Sequence, residues 1–301
     1  MISKALFRFQ SSFSGKFSLR NYCKMAMGDQ KNDLTGLMMN EVITKLEKWA
    51  PLSLAESWDN VGLLIEPTED MPIKNVMLTN DLTEDVVQEA AQKNANLVIT
   101  YHPNIFQGMK NVTRRNWKER IVLDCIKNNI AVFSPHTSWD NVEGGVNDWL
   151  ADAFEFTESK PIQPRIENPK LGAGRSLVLK NPLTLMQAVE SIKKHTGLSH
   201  VRLAMARGRN LESTINTVAL CAGSGISVLR SVPADLFFTG EMLHHDLLEA
   251  CQSGTSVILT NHSDSERGFL DDFQEHLEKV VFDCQVKVFV SKLDKDPLIT
   301  L

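Results

Sequence analysis

The chain has 301 residues, of which 43% are hydrophobic and 23% are charged, as in an ordinary globular protein with ample core. Its net charge of -5 argues against direct nucleic-acid binding, which depends on clustered Lys and Arg. No apolar run approaches the roughly 20 residues of a membrane span. The five cysteines form no CxxC pair, so the sequence predicts no thiolate zinc site.

The N-terminal residues differ from the rest in composition. Residues 1–28 are rich in basic residues and serine, and the first acidic residue is Asp29. This bias is typical of a mitochondrial transit peptide, and mitochondrial localisation is our first expectation. The alternatives are a disordered tail, or a start at Met25 or Met27 that leaves the protein in the cytoplasm and nucleus. We therefore treat residues 1–30 as a presequence or tail outside the fold.

From residue 37 onwards, predicted helices and strands alternate. In the first half, helices are predicted over 37–50, 85–94, 118–129 and 144–154, and strands over 61–66, 75–81, 97–102 and 130–136. In the second half, helices are predicted over 183–195, 226–232, 244–252 and 266–281, and strands over 175–180, 201–206, 217–223, 236–240, 256–262 and 286–292. Wholly apolar strands alternating with helices indicate an α/β fold whose mostly parallel sheets are covered on both faces. We expect two α/β lobes, at 36–157 and 175–301, joined by a Pro-rich linker at 158–174.

An internal repeat supports two related lobes. TNDLTEDVVQEAAQKNANLVITYH (79–102) aligns without gaps with TGEMLHHDLLEACQSGTSVILTNH (239–262), with six identities in 24 positions. Shared helix–strand patterning inflates such a match, so coincidence remains the alternative. Both copies place a histidine at the same strand end, His102 and His262, which favours duplication.

Histidines and carboxylates gather at predicted strand ends, where ligands bind in parallel α/β sheets. The candidates are His102, His136, Asp140, Glu241, His244, His245, His262 and Glu266. Imidazole and carboxylate without thiolate suit Zn, Mn, Fe or Ni, and one bridging carboxylate can hold two ions. The set predicts one or two divalent metal ions, with catalytic roles for His136, Glu241 or His245.

Each motif also has a plain structural interpretation. Glu266 suits a helix N-terminus, with a cap from the preceding Ser or Asp residues. The pair His244 and His245 is equally typical of an exposed first helical turn. A tight turn is favoured over phosphate binding for the glycine loop 221–229, which lacks the phosphate-binding patterns. The segment 57–63 is a strand entry or an active-site wall. The metal interpretation is favoured because it explains several strand ends together.

Five segments resemble the NIF-three-like family, also known as GTP cyclohydrolase I type 2 homologues. The matching motifs are LAESWDNVGLL (54–64), TYHPNIF (100–106), SPHTSWDNVEGGVNDWLA (134–151), GEMLHHDLLEA (240–250) and NHSDSERGFL (261–270). The resemblance runs from about residue 37 to the C-terminus. It implies two related three-layer α/β lobes, in the compact form without an inserted domain. It also implies a homo-oligomer, a dimer or a hexameric ring of dimers.

The resemblance further implies a pair of divalent metals. One ion would be held by His102, Asp140 and Glu266, and the other by His262 with Glu266 as the bridge. Many members have two adjacent histidines at the first strand end, where this chain has Tyr101 before His102. Phenol is a poorer ligand than imidazole, so we expect one tight and one weak site. His136 is better suited to proton transfer or to support of the ligands.

Three functions are consistent with these features. The first is a metal-dependent hydrolase of nucleotides or related small molecules, as the cyclohydrolase label implies. The second is a non-catalytic regulatory protein, because eukaryotic members are described as partners of transcriptional regulators. The third is a metal-handling protein, which a loosened second site would suit. The charge disfavours DNA contact, so a transcriptional role would depend on a protein partner.

Overall fold

The computed structural model describes residues 36–300, so the predicted presequence lies outside the described residues. These residues form two compact units. Unit 1 holds the described residues up to Trp139 together with Leu270–Lys295, and unit 2 holds Asp140–Phe269 and the residues from Asp296 on. The chain therefore contributes two segments to each unit.

Helices alternate along the chain with single strands or short runs of strands. The first are β1 (Leu37–Met38), α1 (Met39–Trp49), β2 (Gly62–Ile65), β3 (Pro72–Ile73), β4 (Asn75–Thr79), α2 (Glu84–Gln92), β5 (Leu97–Thr100), α3 (Trp117–Lys127), β6 (Ala131–Ser134), α4 (Thr137–Asn141) and α5 (Val146–Ala151). The next are β7 (Phe156–Lys160), β8 (Gln163–Pro164), β9 (Gly172–Ala173), β10 (Arg175–Thr184), α6 (Leu185–Thr196), β11 (Arg202–Ala204), β12 (Thr214–Cys221) and α7 (Ile226–Leu229). The last are β13 (Leu236–Thr239), α8 (His244–Gln252), β14 (Ser256–Leu259), α9 (Arg267–His276) and β15 (Lys287–Val290).

Unit 1 is built on a five-stranded sheet in the order β15-β4-β5-β6-β2. Its strands are parallel except β2, which runs antiparallel to β6. Every residue of β5 and β6 is buried, as is typical of parallel strands in a sheet that is covered on both faces. On one face Val98 packs with Val86 of α2 and Ile121 of α3. Alternate strand residues such as Ile99 are buried on the opposite face.

Unit 2 is built on a six-stranded sheet in the order β11-β14-β13-β12-β10-β7. Strands β12, β13 and β14 are parallel, and the strands flanking them are antiparallel. Val257 and Phe237 pack with Leu229 and Ala250 in the core of this unit. The parallel centre positions the ends of β13 and β14 side by side, which brings together the polar residues that follow them.

The fold class is confirmed: both units are α/β, and their central strands are parallel. The repeat is also visible, because β4-α2-β5 and β13-α8-β14 are the same unit of two parallel strands and a helix. The expected lobe boundaries differ from the sheet composition. Strand β15 lies beyond residue 175 yet pairs with β4 in the first sheet, and the expected linker contains the β8–β9 hairpin. No helix among residues 36–300 is long and apolar enough to span a membrane.

Candidate functional site

His102 of unit 1 is held by the residues that follow two neighbouring strands. It lies just past β5, and its backbone N–H donates to Asn80 O at 3.0 Å. Its ring Nδ1 lies 2.9 Å from Oδ1 of Asp81, the second residue after β4. A carboxylate only accepts hydrogen bonds, so Nδ1–H is the donor. The strand ends therefore fix the orientation of this imidazole.

His262 of unit 2 has the same arrangement. It follows β14, and its Nδ1 lies 2.8 Å from Oε1 of Glu241, the second residue after β13. The repeat aligns Glu241 with Asp81, so both histidine–carboxylate pairs occupy equivalent positions. A metal-binding histidine characteristically donates its other ring N–H to a carboxylate. In both units this pairing makes Nε2 the nitrogen that a metal would use.

Glu266 supplies a buried carboxylate beside His262. It directly precedes α9, is only 3% exposed, and its Oε1 lies 3.5 Å from His262 Nε2. An ionised carboxylate that is buried so deeply requires a compensating positive charge or donors. The site of unit 2 thus offers one imidazole nitrogen and one carboxylate oxygen next to each other, a donor set that fits a divalent metal.

The glycine loop forms one wall of this part of the site. Gly223 has a φ of +61°, and a Cβ there would lie 2.6 Å from Glu266 Oε1 and 3.0 Å from His262 Nε2. Its carbonyl accepts the backbone N–H groups of Gly240 and Glu241, both at 3.0 Å. The loop is the tight turn that the sequence favours. Its function is to leave room for the side chains of Glu266 and His262. The sequence did not predict this role of the loop.

Asp140 of unit 2 belongs to helix α4, and Asn147 positions its backbone. The buried Asn147 side chain donates to Asp140 O at 3.1 Å and accepts from Ala222 N–H at 2.9 Å. Burial raises the pKa of the Cys221 thiol, and the carboxylates of Asp140 and Glu266 raise it further. Both carboxylates therefore lie near Cys221, which is an inert thiol. Asn147 carried no signal in the sequence.

His136 of unit 1 is oriented by Asp59. Its Nδ1 donates to Asp59 Oδ1 at 2.7 Å, while Asp59 Oδ2 accepts from the backbone N–H of Thr137 at 3.1 Å. Burial raises the pKa of Asp59, but the hydrogen bonds from His136 and Thr137 outweigh it, and the pKa lies below its ordinary value. Asp59 is thus an anion that fixes the tautomer of His136. The expected active-site wall at 57–63 supplies this residue.

Tyr101 packs against His102 and His136 of unit 1. It is 2% exposed, and its ring centroid lies 5.1 Å from that of His102 and 5.6 Å from that of His136. Its backbone carbonyl accepts from Ser134 Oγ at 2.9 Å. The residue at the doubtful ligand position thus has a packing role beside His102.

Four further histidines separate into two groups. His244 and His245 lie exposed in the first turn of α8, with ring centroids 5.4 Å apart. His195 stacks on Trp149 at 4.6 Å. Burial lowers the pKa of His276 to about 4, so this ring is neutral near pH 7. The two last-named residues are structural, in agreement with their positions outside the predicted strand ends.

The structure groups the predicted residues unit by unit. Unit 1 brings together Tyr101, His102 and His136, and unit 2 brings together His262, Glu266 and Glu241. Glu241, a catalytic candidate in the sequence, contacts His262 as its carboxylate partner. Its equivalent Asp81 is not among the predicted site residues, although the repeat aligns it with Glu241.

Comparison with known proteins gives a consistent result. Residues 37–297 match the family model described as Duf34/NIF3 (NGG1p interacting factor 3). The chain is 47% identical to NIF3-like protein 1 of Drosophila melanogaster over 270 residues, covering 90% of this chain and 91% of that protein. It is 34% identical to NGG1-interacting factor 3 of Saccharomyces cerevisiae over 284 residues, covering 88% and 98%. The crystal structure of a Bacillus cereus protein related to NIF3 shares the fold, with a TM-score of 0.79 at 22% identity, covering 88% of this chain and 99% of that one.

Proposed function

Because the chain belongs to the Duf34/NIF3 family, we propose that it binds divalent metal and uses it to hydrolyse a nucleotide or a related small molecule. The observation that carries this proposal is the contact of the buried Glu266 carboxylate with His262, whose other ring nitrogen is bound by Glu241. We assign one ion to His262 and Glu266 of unit 2, with Asp140 as a further ligand. In unit 1, His102 offers its Nε2 as a metal ligand. A second, weaker ion would share Glu266.

Some residues of the chain orient the metal ligands, and His136 transfers protons. When bound, a divalent ion supplies Lewis acidity for the activation of water. Asp81 and Glu241 hold the two ligand imidazoles through Nδ1. His136 has its Nδ1–H bound by the Asp59 anion, so its Nε2 is available as a general base in the neutral form. After His136 takes a proton, the Asp59 carboxylate stabilises the resulting imidazolium.

Metal analysis of the purified chain tests the binding proposal. We expect the wild type to bind divalent metal and Glu266→Gln to bind it at least tenfold more weakly, because the amide cannot supply an anionic ligand. Glu249→Gln, at an exposed position of α8, is the matched control and should bind as the wild type does. Equal metal affinity in wild type and Glu266→Gln would overturn the assignment.

The hydrolase proposal needs a separate readout. With metal bound, the wild type should hydrolyse one or more nucleotides in a screen of nucleoside triphosphates. His136→Gln should lower kcat at least 100-fold while metal affinity is kept, because general-base catalysis contributes about 10²–10⁴-fold. A metal-loaded wild type without turnover on any of them would contradict nucleotide hydrolysis.

A second candidate function rests on the name of the yeast relative, which is an NGG1-interacting factor. For this chain the corresponding proposal is a regulatory protein that acts through a protein partner, as a homo-oligomer in which metal has a structural role. Direct binding of the purified chain to purified yeast NGG1 tests it. Binding that is equal in wild type and Glu266→Gln, together with no hydrolysis, would favour this function over catalysis.

A further inference from the structure

Unit 1 exposes two large aromatic rings next to His136. Trp58 is 60% exposed and Phe106 is 41% exposed, and their ring centroids lie 6.1 Å apart at an interplanar angle of 61°. Single exposed apolar residues are normal on protein surfaces. Two aromatic rings that contact each other and are both exposed form a small platform.

The platform borders His136, which lies beside His102. The His136 ring meets Trp58 at 6.0 Å and Phe106 at 6.4 Å, both nearly perpendicular. Its centroid also lies 5.4 Å from that of His102. A ring stacked on Trp58 would therefore lie within reach of His136, the residue that we assign to proton transfer.

Hydrogen bonds hold the platform in place. The segment that carries Trp58 is anchored by the neighbouring Asp59, whose side chain is fully buried and binds His136. Asn60 Nδ2 donates to Ile105 O at 2.5 Å, which ties this segment to the one that carries Phe106. The two rings are thus presented by segments that are hydrogen-bonded to each other, and such preorganisation lowers the ordering cost of binding.

A buried amide lies between His102 and Phe106 in the chain. Asn104 is 6% exposed, and neither Nδ2 nor Oδ1 has a hydrogen-bond partner among residues 36–300. Buried polar groups are nearly always paired, so this side chain is an exception with a free-energy cost. The two atoms are covered in this structure, and a rotation of the side chain is needed for them to meet a ligand. An amide presents one donor and one acceptor face, the pattern of a heteroaromatic ring edge.

We propose that Trp58 and Phe106 form a stacking platform for a planar heteroaromatic ring, and that the Asn104 amide pairs with the edge of that ring. The proposal rests on the proposed function for the role of the neighbouring His102 and His136, and it names the substrate class of that site. A ring offset-stacked on Trp58 meets Phe106 edge-on, which is a favoured geometry for both contacts. A purely aliphatic substrate would use neither the ring faces nor the amide.

Nucleoside binding tests the platform directly. Guanosine and adenosine are the probes, and ribose 5-phosphate is the control without a ring. Equilibrium dialysis should show that Trp58→Leu weakens nucleoside binding at least tenfold and Phe106→Leu severalfold. Trp117→Leu is the matched control, since Trp117 is 47% exposed in the same unit but lies outside the platform. In the wild type, bound guanosine should quench tryptophan fluorescence, and this quenching should persist in Trp117→Leu.

Asn104→Leu distinguishes the contribution of the Asn104 amide to nucleoside binding from that of the two aromatic rings. Leucine has a similar size and removes both unpaired polar atoms, so the melting temperature should stay the same or rise. Nucleoside binding should weaken at least fivefold. A lower melting temperature with unchanged nucleoside affinity would show that the amide is satisfied within the fold, and would overturn its role in binding.

The metal proposal and the ring proposal can fail independently. Nucleoside binding is measured in chelator-treated protein and in Glu266→Gln, and metal binding is measured in Trp58→Leu. We expect the ring to bind without metal and metal to bind without Trp58. Unchanged nucleoside affinity in Trp58→Leu, or no binding of either nucleoside by the wild type, would overturn the platform whatever the metal analysis shows. Loss of metal with ring binding intact would overturn only the metal proposal.

Discussion

The two copies of the repeat have the same local structure but different burial. In unit 1, helix α2 buries four of its nine residues, namely Val86, Val87, Glu89 and Ala90. In unit 2, helix α8 also has nine residues, but only Ala250 is buried. The hydrogen bonds that end the two helices are equivalent, since Ala95 N–H donates to Ala90 O and Thr255 N–H donates to Ala250 O. The local structure thus follows the repeated sequence pattern. The burial of each helix depends on which other segments of its unit pack against it.

The turn before each helix shows how the copies are anchored differently. In unit 1, the carboxylate of Asp294 accepts the backbone N–H groups of Asn80 at 2.6 Å and of Asp81 at 3.4 Å. In unit 2, the equivalent N–H groups of Gly240 and Glu241 donate to Gly223 O. The Asp294 side chain, just after β15, therefore accepts in unit 1 the two hydrogen bonds that the Gly223 carbonyl accepts in unit 2. The same two donors therefore tolerate different partners.

The largest expected effect concerns the anchor of unit 2. Gly223→Ala should lower the free energy of unfolding by about 3 kcal/mol, because a left-handed φ costs about 1–2 kcal/mol and overpacking costs a similar amount. Metal affinity should fall with it, since the Cβ would contact Glu266 and His262. Gly208→Ala, with a φ of +77° and no atom within 4 Å, is the control and should cost about 1 kcal/mol in urea denaturation. Equal losses in both variants would refute the close packing.

The next largest effect is a difference in stability between the variants of Glu89 and of its equivalent Glu249. Glu89 is buried and accepts from Ser291 Oγ at 2.5 Å and from Lys292 N–H at 3.0 Å. Glu249 is exposed on α8. Glu89→Gln should cost about 2 kcal/mol at pH 7, because it weakens hydrogen bonds to a charged acceptor. Glu249→Gln should change stability by less than about 0.5 kcal/mol.

The Glu89 contribution should also depend on pH. Burial raises the pKa of Glu89, but hydrogen bonds from Lys93, Ser291, Lys292 and Leu293 outweigh it and lower the pKa from 4.5 to about 2. The folded state therefore prefers the ionised form, and the stabilisation is fully present above pH 4.5 and lost as the pH falls through 2. The stability difference between wild type and Glu89→Gln should shrink over this window in urea denaturation. A difference that stays constant would contradict the assignment.

A smaller effect concerns the anchor of unit 1. Asp294→Ala removes the acceptor of two backbone N–H groups and should cost about 1.5 kcal/mol. It should also weaken metal binding severalfold, because the turn carries Asp81, which orients His102. Glu190→Ala is the control, as its ion pair with Lys193 is 61% exposed on the Glu side and should contribute less than about 1 kcal/mol. If the two variants lose the same stability, the anchoring role of Asp294 is wrong.

The smallest effect concerns helix capping. Thr83 caps α2, and its side chain accepts from Val86 N–H at 3.3 Å. The equivalent residue of α8 is Leu243, which makes no side-chain cap. Thr83→Ala should cost about 1 kcal/mol, and Leu243→Ser should add about 0.5 kcal/mol, both measured by thermal unfolding. A destabilising Leu243→Ser would mean that this exposed leucine has a packing role that outweighs the missing cap.

Much of the candidate site was predictable from sequence because its ligands follow apolar strands. The strand ends selected His102, His262 and Glu266, and the repeat related the two histidines. The supporting residues were not predictable. Asp59 and Asn147 bind partners 77 and 75 residues away, His136 and Ala222, and no local pattern encodes such a pairing.

The fold shows the same division. Helix α8 was predicted at its observed bounds, and most other elements agree to within a few residues. The Pro-rich segment was interpreted as a linker, yet it contains the short strands β8 and β9, whose pairing is too brief to produce a periodic pattern. Strand β15 was recognised, but its place beside β4 was not, because an apolar strand carries no record of its neighbour.

The sequence by itself determined the α/β class, the repeated helix–strand unit and the histidines at its two strand ends, because apolar periodicity and turn residues act over a few positions. The tertiary structure decided which residues surround those histidines. It paired His102 with Asp81 and His262 with Glu241, buried Glu89 but left Glu249 exposed, and placed Gly223 against Glu266. These outcomes depend on contacts between distant segments, and only packing of the complete sheets brings those segments together.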